Sequence, residues 1–256
     1  MAAECLDCDV DQIVVFGADT DISPYDSGSY ASSTTYVTGK AVEQACEKLK
    51  NNLCNLALET FNCEKEDVEF TSQGVKNLKT NDLLTLKELA LKAMCGNNIE
   101  TQVTVTHSSP FSPPPYMVGM VELDKETGQV DILDYVAVVD CGTVINTNLA
   151  RVQTEGGLVQ GIGMALYEDV QYTKRGAIPE NSFMQYKIPT RLDMGKIRVE
   201  FESSYEPTGP FGAKSIGEIV INTPSPAIAN AIYRATGKYL KDLPMTPEKI
   251  LMAIDE

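Results

Sequence analysis

The sequence contains a single histidine, His107. A Ser/His/Asp hydrolase would have to use it as the base, and no G-x-S-x-G elbow accompanies it, so that chemistry is not supported. Zinc is served no better: Cys5 and Cys8 form one C-x-x-C pair, but no second pair or histidine cluster completes four ligands. Basic residues are also in deficit. Lys and Arg total 21 against 36 Asp and Glu, a formal net charge of −15, which repels nucleic-acid phosphates and anionic lipid. No apolar run approaches the length of a membrane-spanning helix, and the N-terminal MAAECLDCDVDQ has no basic region followed by an apolar one. These absences predict no nucleic-acid partner, no membrane partner and a cytoplasmic location.

What is present describes an ordinary globular chain. At 256 residues, 43% apolar and 22% charged, it can bury a substantial core as one large domain or two smaller ones. Its 7 cysteines are odd in number and scattered, and a chain of this size needs no staples, so they read as reduced thiols. The Cys5/Cys8 pair could be redox-active or half of a metal site. Ordinary cysteines near a chain end are the simpler account.

The stretch from Gly209 to Gly237, GPFGAKSIGEIVINTPSPAIANAIYRATG, organises the rest. Gly209, Gly212 and Gly217 permit close backbone approach and positive φ. One carboxylate follows, Glu218, against Ile219, Val220 and Ile221, which read as an apolar strand. If Glu218 is buried, desolvation should raise its pKa toward the range useful to a general base. A solvated surface glutamate after ordinary turn glycines is the competing account. Ser225 is a plausible N-cap, Pro226 fits the first turn of the helix that follows, and Gly237 can close it. Gly212, Ala213, Lys214 and Ser215 resemble the end of a phosphate-binding loop, but the spacing from Gly209 is wrong and no helix follows Ser215 directly, so that reading is rejected.

Earlier in the chain, residues 1–11 read as the end of a helix, and Gln12 to Phe16 as a buried strand with nothing before it to pair with, as expected of a fragment. The polar loop from Gly17 to Gly39 carries Ser29, Ser32, Ser33, Thr34 and Thr35 just ahead of an amphipathic helix running to Phe61. Hydroxyls and free amides there could seat a phosphate or a heterocycle edge, or the serines could simply cap the helix. Residues 67–70 and 101–106 read as strands. Thr85 to Glu88 has capping-box form ahead of a helix to Met94, and the proline-rich 110–115 is a loop. Met117 to Leu123 and Gln129 to Val139 predict a β-hairpin that runs into Asp140, Cys141 and Gly142. Asn146 or Thr147 then caps a helix to Leu166. Its interior holds Gly156, Gly157, Gly161 and Gly163, each costing about 1 kcal/mol of helix stability against Ala. Close approach of another helix or of a cofactor would account for them, with Gln153 and Gln160 able to supply amide hydrogen bonds. Residues 196–203 read as the last strand.

Four blocks of this sequence resemble the C-terminal part of the molybdenum-binding subunit of the xanthine dehydrogenase and aldehyde oxidase family, the molybdenum hydroxylases. They are DTDISPYDSGSYASSTTYVTGKAVEQAC, ELDKETGQVDILDYVAVVDCGTVINTNLARVQTEGGLVQGIGMALYEDV, NSFMQYKIPT and GPFGAKSIGEIVINTPSPAIANAIYRATG. They span nearly the whole chain in family order. The last is most similar to the bacterial xanthine dehydrogenase, purine hydroxylase and nicotinate dehydrogenase branch.

The resemblance implies that Glu218 is the base. In that role it deprotonates a hydroxide on molybdenum, whose oxygen attacks an electron-poor carbon while hydride passes to a sulfur ligand. It places Gly217 beside the metal. Ala31, Ser32, Ser33 and Thr34 would hydrogen-bond the pterin, Gln153 would contact it, and Cys141, Gly142 and Asn146 would line the dinucleotide end. The metal would be held by the pterin and not by protein side chains.

The family's long N-terminal region and its iron–sulfur and flavin domains have no counterpart here. The expected molecule is therefore the C-terminal molybdopterin-binding domain, residues 1–256, an α+β protein of mixed sheets and packed helices. It could divide into two α+β subdomains at about 1–110 and 111–256. It would carry a molybdopterin dinucleotide and be active only with an N-terminal molybdenum-subunit chain and with Fe-S and FAD subunits. The expected reaction is hydroxylation of a purine- or pyridine-type heterocycle. A non-catalytic assembly subunit and an unrelated nucleotide-binding module are the alternatives.

Overall fold

The structure is a computed structural model and describes residues 1–23, 25–26, 28–95 and 116–255, with only the backbone described at 116–121. The strand expected at 101–106, the 110–115 loop and His107 lie outside the described residues. The chain forms two compact units, one of Met1–Ser29 with Thr34–Pro110 and one of Tyr30–Ser33 with Phe111–Glu256.

In the first unit, helix α1 (Ala2–Leu6) and a 3-10 turn (Val10–Gln12) precede the long helix α2 (Thr34–Phe61). Leu53, Leu56 and Ala57 recur at helical spacing on α2 and bury one stripe against Val75 and Leu89. Strands β1 (Val68–Thr71), β2 (Gly74–Asn77) and β3 (Leu83–Thr85) form an antiparallel sheet in that order. Helix α3 (Leu86–Cys95) follows. The Thr85 capping box forms as the sequence predicts: the Glu88 amide donates to Thr85 Oγ1 at 3.2 Å and the Thr85 amide to Glu88 Oε2 at 2.8 Å.

The strand expected at Gln12 to Phe16 is absent. Val14 and Val15 are each 88% exposed and no described strand pairs with them, so short apolar content without a ladder partner made no strand. All 7 cysteines are free thiols. Cys5 lies against Cys46 of α2, and burial together with the neighbouring Cys46 and Glu43 pushes its thiol up to about 11.

The second unit is a mixed sheet with helices packed on one face. Strands β4 (Tyr116–Leu123) and β5 (Val130–Asp140) form the predicted hairpin. Helix α4 (Thr147–Leu166) crosses over to β6 (Met194–Glu202), which runs parallel to β5 from Ile132↔Met194 to Asp140↔Glu202. Leu133 is the extra residue of a β-bulge, because Asp134 faces Met120 while Ile132 faces Val121. The buried positions change parity there, from Val130 and Ile132 to Tyr135, Ala137 and Val139, and Leu133 itself turns out to solvent. The bulge thus keeps β5 on the core, where it packs with Leu158 and Ile162 of α4. Ile228 and Ile232 of α5 (Pro224–Thr236) and Ile250 of α6 (Pro247–Asp255) complete that core. The fold is α+β.

Two local expectations are corrected. Glu218–Ile221 is a 3-10 turn and not a strand: Val220 is buried in the core while Ile219 and Ile221 are only partly covered, so no sheet neighbour was needed. Helix α5 starts two residues earlier than Ser225 implied, with Thr223 at the N-cap and Pro224 as the first residue, since proline is pre-organised for that position. Gly237 does close it, at φ 76° with its amide on the Tyr233 carbonyl at 2.7 Å.

Candidate functional site

The turn carrying Glu218 is fixed from two sides. On one side the Glu218 amide donates to Ser32 Oγ at 2.6 Å, and Ser32 is buried. A Cβ on Gly217 would lie 2.9 Å from that oxygen, so a side chain there would crowd the contact between the two segments. Ala31 and Ser32 hold left-handed conformations at φ 50° and 53°, which cost roughly 1–2 kcal/mol each for residues with a side chain. Such strain persists where surrounding contacts over-determine it. Here those contacts are the Glu218 bond and the Ser33 amide and hydroxyl, both donating to the Tyr30 carbonyl at 3.1 and 2.7 Å.

On the other side α4 packs directly on the turn. A Cβ on Gly157 would come within 2.1 Å of Val220 Cγ2, and one on Gly161 within 2.6 Å of both the Ile221 carbonyl oxygen and the Pro224 ring. Close packing thus explains these two glycines. Gly156 differs: nothing lies within 4 Å of its added Cβ. It is exposed between Gln153 and Gln160, and the Gln153 carboxamide has no partner among the described residues.

The Glu218 side chain is exposed, so this chain by itself does not supply the burial that the sequence left open for it. Among the described residues nothing hydrogen-bonds its carboxylate, and both oxygens are available.

A third element anchors the loop that leads to Glu218. Asp140 ends β5, and its carboxylate receives Lys214 Nζ at 2.7 Å and the Gly142 amide at 3.0 Å. The Ser204 hydroxyl reaches its two oxygens at 2.7 and 2.8 Å, with one proton to give. The backbone of this corner is stitched as well: Gly142 bridges Ala213, the Lys214 amide donates to the Cys141 carbonyl at 2.8 Å, and the Thr143 amide to the Gly212 carbonyl at 3.0 Å. Gly142, at φ 66°, leaves no room for a Cβ, which would lie 2.4 Å from the Gly212 carbonyl oxygen. In the glycine-rich loop itself Gly212 is left-handed at φ 79°, whereas Gly209 and Gly217 are not, at −86° and −152°.

Burial opposes the Asp140 charge, but the hydrogen bonds from Lys214, Ser204 and the Gly142 amide outweigh it and hold the carboxyl below the usual range. A carboxylate depressed in the folded state stabilises fully above its unfolded value, near 4, and that contribution is lost as pH falls through the folded value. Acid titration followed by circular dichroism should therefore show Asp140→Asn losing less stability than the wild type as pH falls below about 4. An equal loss would remove Asp140 from the acid response.

The sequence-derived residues fall into separate groups. Ala31, Ser32, Ser33, Gly217 and Glu218 come together. Thr34 opens α2, its hydroxyl donating to Ser29 Oγ at 2.6 Å. Cys141 and Gly142 form the corner with Lys214, and Asn146 caps α4 by accepting the Leu149 amide at 3.0 Å. No hydrogen bond among the described residues links Asn146 or Gln153 to Ser32 or Glu218. Sequence reasoning missed Asp140, Ser204 and Lys214 as one unit. The available clue is Lys214 in a glycine-rich segment, which the sequence sets only against a phosphate-loop pattern. Among the described residues no cluster of three or more His, Cys, Asp or Glu could hold a metal ion, and no described helix is long and apolar enough to cross a membrane. A cavity of about 600 Å³ at the opposite end of the sheet, floored by Ile132, Leu166 and Met245, includes none of these residues.

The sequence matches the family described as Molybdopterin cofactor-binding domain over residues 1–195. It is 32% identical over 260 residues to the probable hypoxanthine oxidase of Escherichia coli K12, covering 100% of this chain and 27% of that protein. It is also 32% identical to the gamma subunit of the 6-hydroxypseudooxynicotine dehydrogenase complex of Paenarthrobacter nicotinovorans, covering 98% of this chain and 33% of the relative. Quinoline 2-oxidoreductase from Pseudomonas putida 86 superposes with a TM-score of 0.84 at 25% identity, covering 100% of this chain and 34% of that one. The chain thus spans about a quarter to a third of the length of the curated relatives it matches.

Proposed function

Because this chain belongs to the molybdenum hydroxylase family, we propose that it forms the C-terminal, cofactor-binding part of an oxidoreductase that hydroxylates a carbon beside nitrogen in a purine- or pyridine-type heterocycle. Water is the oxygen source, and Glu218 is the base. The observation that carries the reading is the Glu218 turn: its backbone is pinned to Ser32 through a close contact beside Gly217, while its carboxylate is left free. The similar proteins favour a nitrogen heterocycle, since they include a probable hypoxanthine oxidase and a quinoline 2-oxidoreductase. An aldehyde oxidoreductase and a carbon monoxide dehydrogenase stand among them too, so the heterocycle rests on similarity to the first group.

The residues present fit a pterin. Gln153 offers an unpartnered carboxamide that can donate and accept, and Gly156 leaves the adjoining helix surface without a side chain, so a flat ring system can approach the backbone. Ala31 to Thr34 would meet the pterin, and Cys141, Gly142 and Asn146 would lie toward a dinucleotide extension. When bound, the cofactor supplies the two-electron acceptor for the oxidation. The chain's own contribution is proton transfer and positioning: Glu218 takes the proton of the water-derived oxygen as it attacks carbon, and Ser32 fixes where the turn carrying it sits. Fe-S and FAD groups on partner chains would carry the electrons away. The remaining part of the molybdenum subunit, on an N-terminal chain or a longer polypeptide, would enclose the substrate and bury Glu218. The assembly is assigned to the cytoplasm and to purine or related heterocycle metabolism.

Molybdenum content and pterin fluorescence of the protein isolated from its native source test this. Stoichiometric molybdenum and a pterin that releases a nucleotide on acid hydrolysis are expected, together with the additional polypeptide. A folded, molybdenum-free protein from that source would overturn the proposal.

A further inference from the structure

The Asp140–Lys214 pair is expensive to keep if stability were its only role. Lys214 is only 11% exposed and Asp140 25%, and taking two charges out of water costs about as much as their attraction returns, so apolar residues would serve the core as well or better. The role such a pair is best attested for is to fix one register or arrangement of the segments it joins. The arrangement it specifies can be read from the chain path. Lys214 stands four residues before Glu218 in the segment between the β5 corner and the Ser32 contact. Backbone bonds fix the start of that segment at Gly212 to Lys214, and the Ser32 bond fixes its end. The ammonium pulls the segment onto the end of β5, and the Ser204 hydroxyl, two residues beyond β6, holds the carboxylate oriented for it.

We infer that Asp140 and Lys214 are positioning residues for Glu218, locking the glycine-rich loop so that Gly217 and Glu218 meet Ser32 in one place. The inference rests on the proposed role of Glu218 for its functional meaning, but the locking itself is measured without turnover. Ser204 acts through Asp140, because its single hydroxyl proton can bond only one of the two oxygens at a time and leaves the other to Lys214.

Hydrogen exchange with residue-level fragmentation, on the complete native enzyme with its cofactors, tests this. Lys214→Met should speed exchange of the Glu218 amide by about tenfold or more, the size expected when a charge-assisted bond worth at least 1.4 kcal/mol is lost from a local opening. Amides within β5 and α4 should change less than about twofold, and Lys214→Arg, which keeps the charge, should return the Glu218 amide to near the wild-type rate. Asp140→Asn provides the same comparison if Lys214→Met does not accumulate. An unchanged Glu218 amide would overturn the inference, and so would a uniform acceleration across β5, α4 and the loop, which makes the pair a general stabiliser. Failure of Arg to rescue would do the same. Glu218→Gln leaves the lock intact, so a fully active Glu218→Gln enzyme would remove the base while the exchange result stands.

Discussion

Replacement of Glu218 by glutamine is expected to lower turnover of the assembled enzyme by roughly 10²–10⁴-fold, the usual contribution of a positioned general base. The substitution is close to isosteric, and the wild-type carboxylate makes no hydrogen bond among the described residues, so no internal partner is left unsatisfied. The backbone bond to Ser32 uses the amide of residue 218 and survives the change. Molybdenum content and thermal stability should accordingly match the wild type, which separates loss of the base from loss of the site. Turnover within a few-fold of wild type, in enzyme with full molybdenum, would remove Glu218 from the mechanism.

Gly161→Ala should destabilise the protein even though alanine is the better helix former. The helix-propensity gain is about 1 kcal/mol. Against it, the added methyl would meet the Ile221 carbonyl oxygen and the Pro224 ring at 2.6 Å, and neither the backbone nor a proline ring can rotate away. Overpacking of this kind costs about 1–3 kcal/mol, so the net effect is a loss, and the relaxation that relieves it pushes directly on the turn bearing Glu218. Gly156→Ala is the control with the opposite sign. Its methyl meets nothing within 4 Å, so cofactor-free protein should gain about 0.5–1 kcal/mol. Cofactor retention by the same variant should fall if a pterin lies on that face. Chemical denaturation of both variants, with molybdenum assay of the Gly156→Ala enzyme, decides the point; a Gly161→Ala protein at least as stable as wild type would contradict the packing.

Local chemistry in this chain is legible wherever one short rule suffices. The Thr85 box, the Asn146 cap and the Gly237 stop each depend on residues within a few positions of one another, and the sequence predicts all three. Long periodic patterns are equally readable, as the β4–β5 hairpin and helices α2 and α4 show. Strands β2 and β3, at 4 and 3 residues, are too short for alternation to register. Gln12 to Phe16 failed for the opposite reason: its composition suits a strand, but a strand exists only with a ladder partner, and composition does not supply one.

The sequence by itself determined the acidic, cysteine-reduced character of the protein, most of its elements, the family to which it belongs and the acid at position 218. Only the tertiary structure decided which of the four glycines in α4 are packing contacts and which one is open. It alone showed that Ser32 meets an amide 186 residues away, and that Lys214, a misleading near-match to a phosphate loop, closes on Asp140. These contacts join distant parts of the chain, and their specificity comes from the last few tenths of an ångström of approach, which no local pattern of residues records.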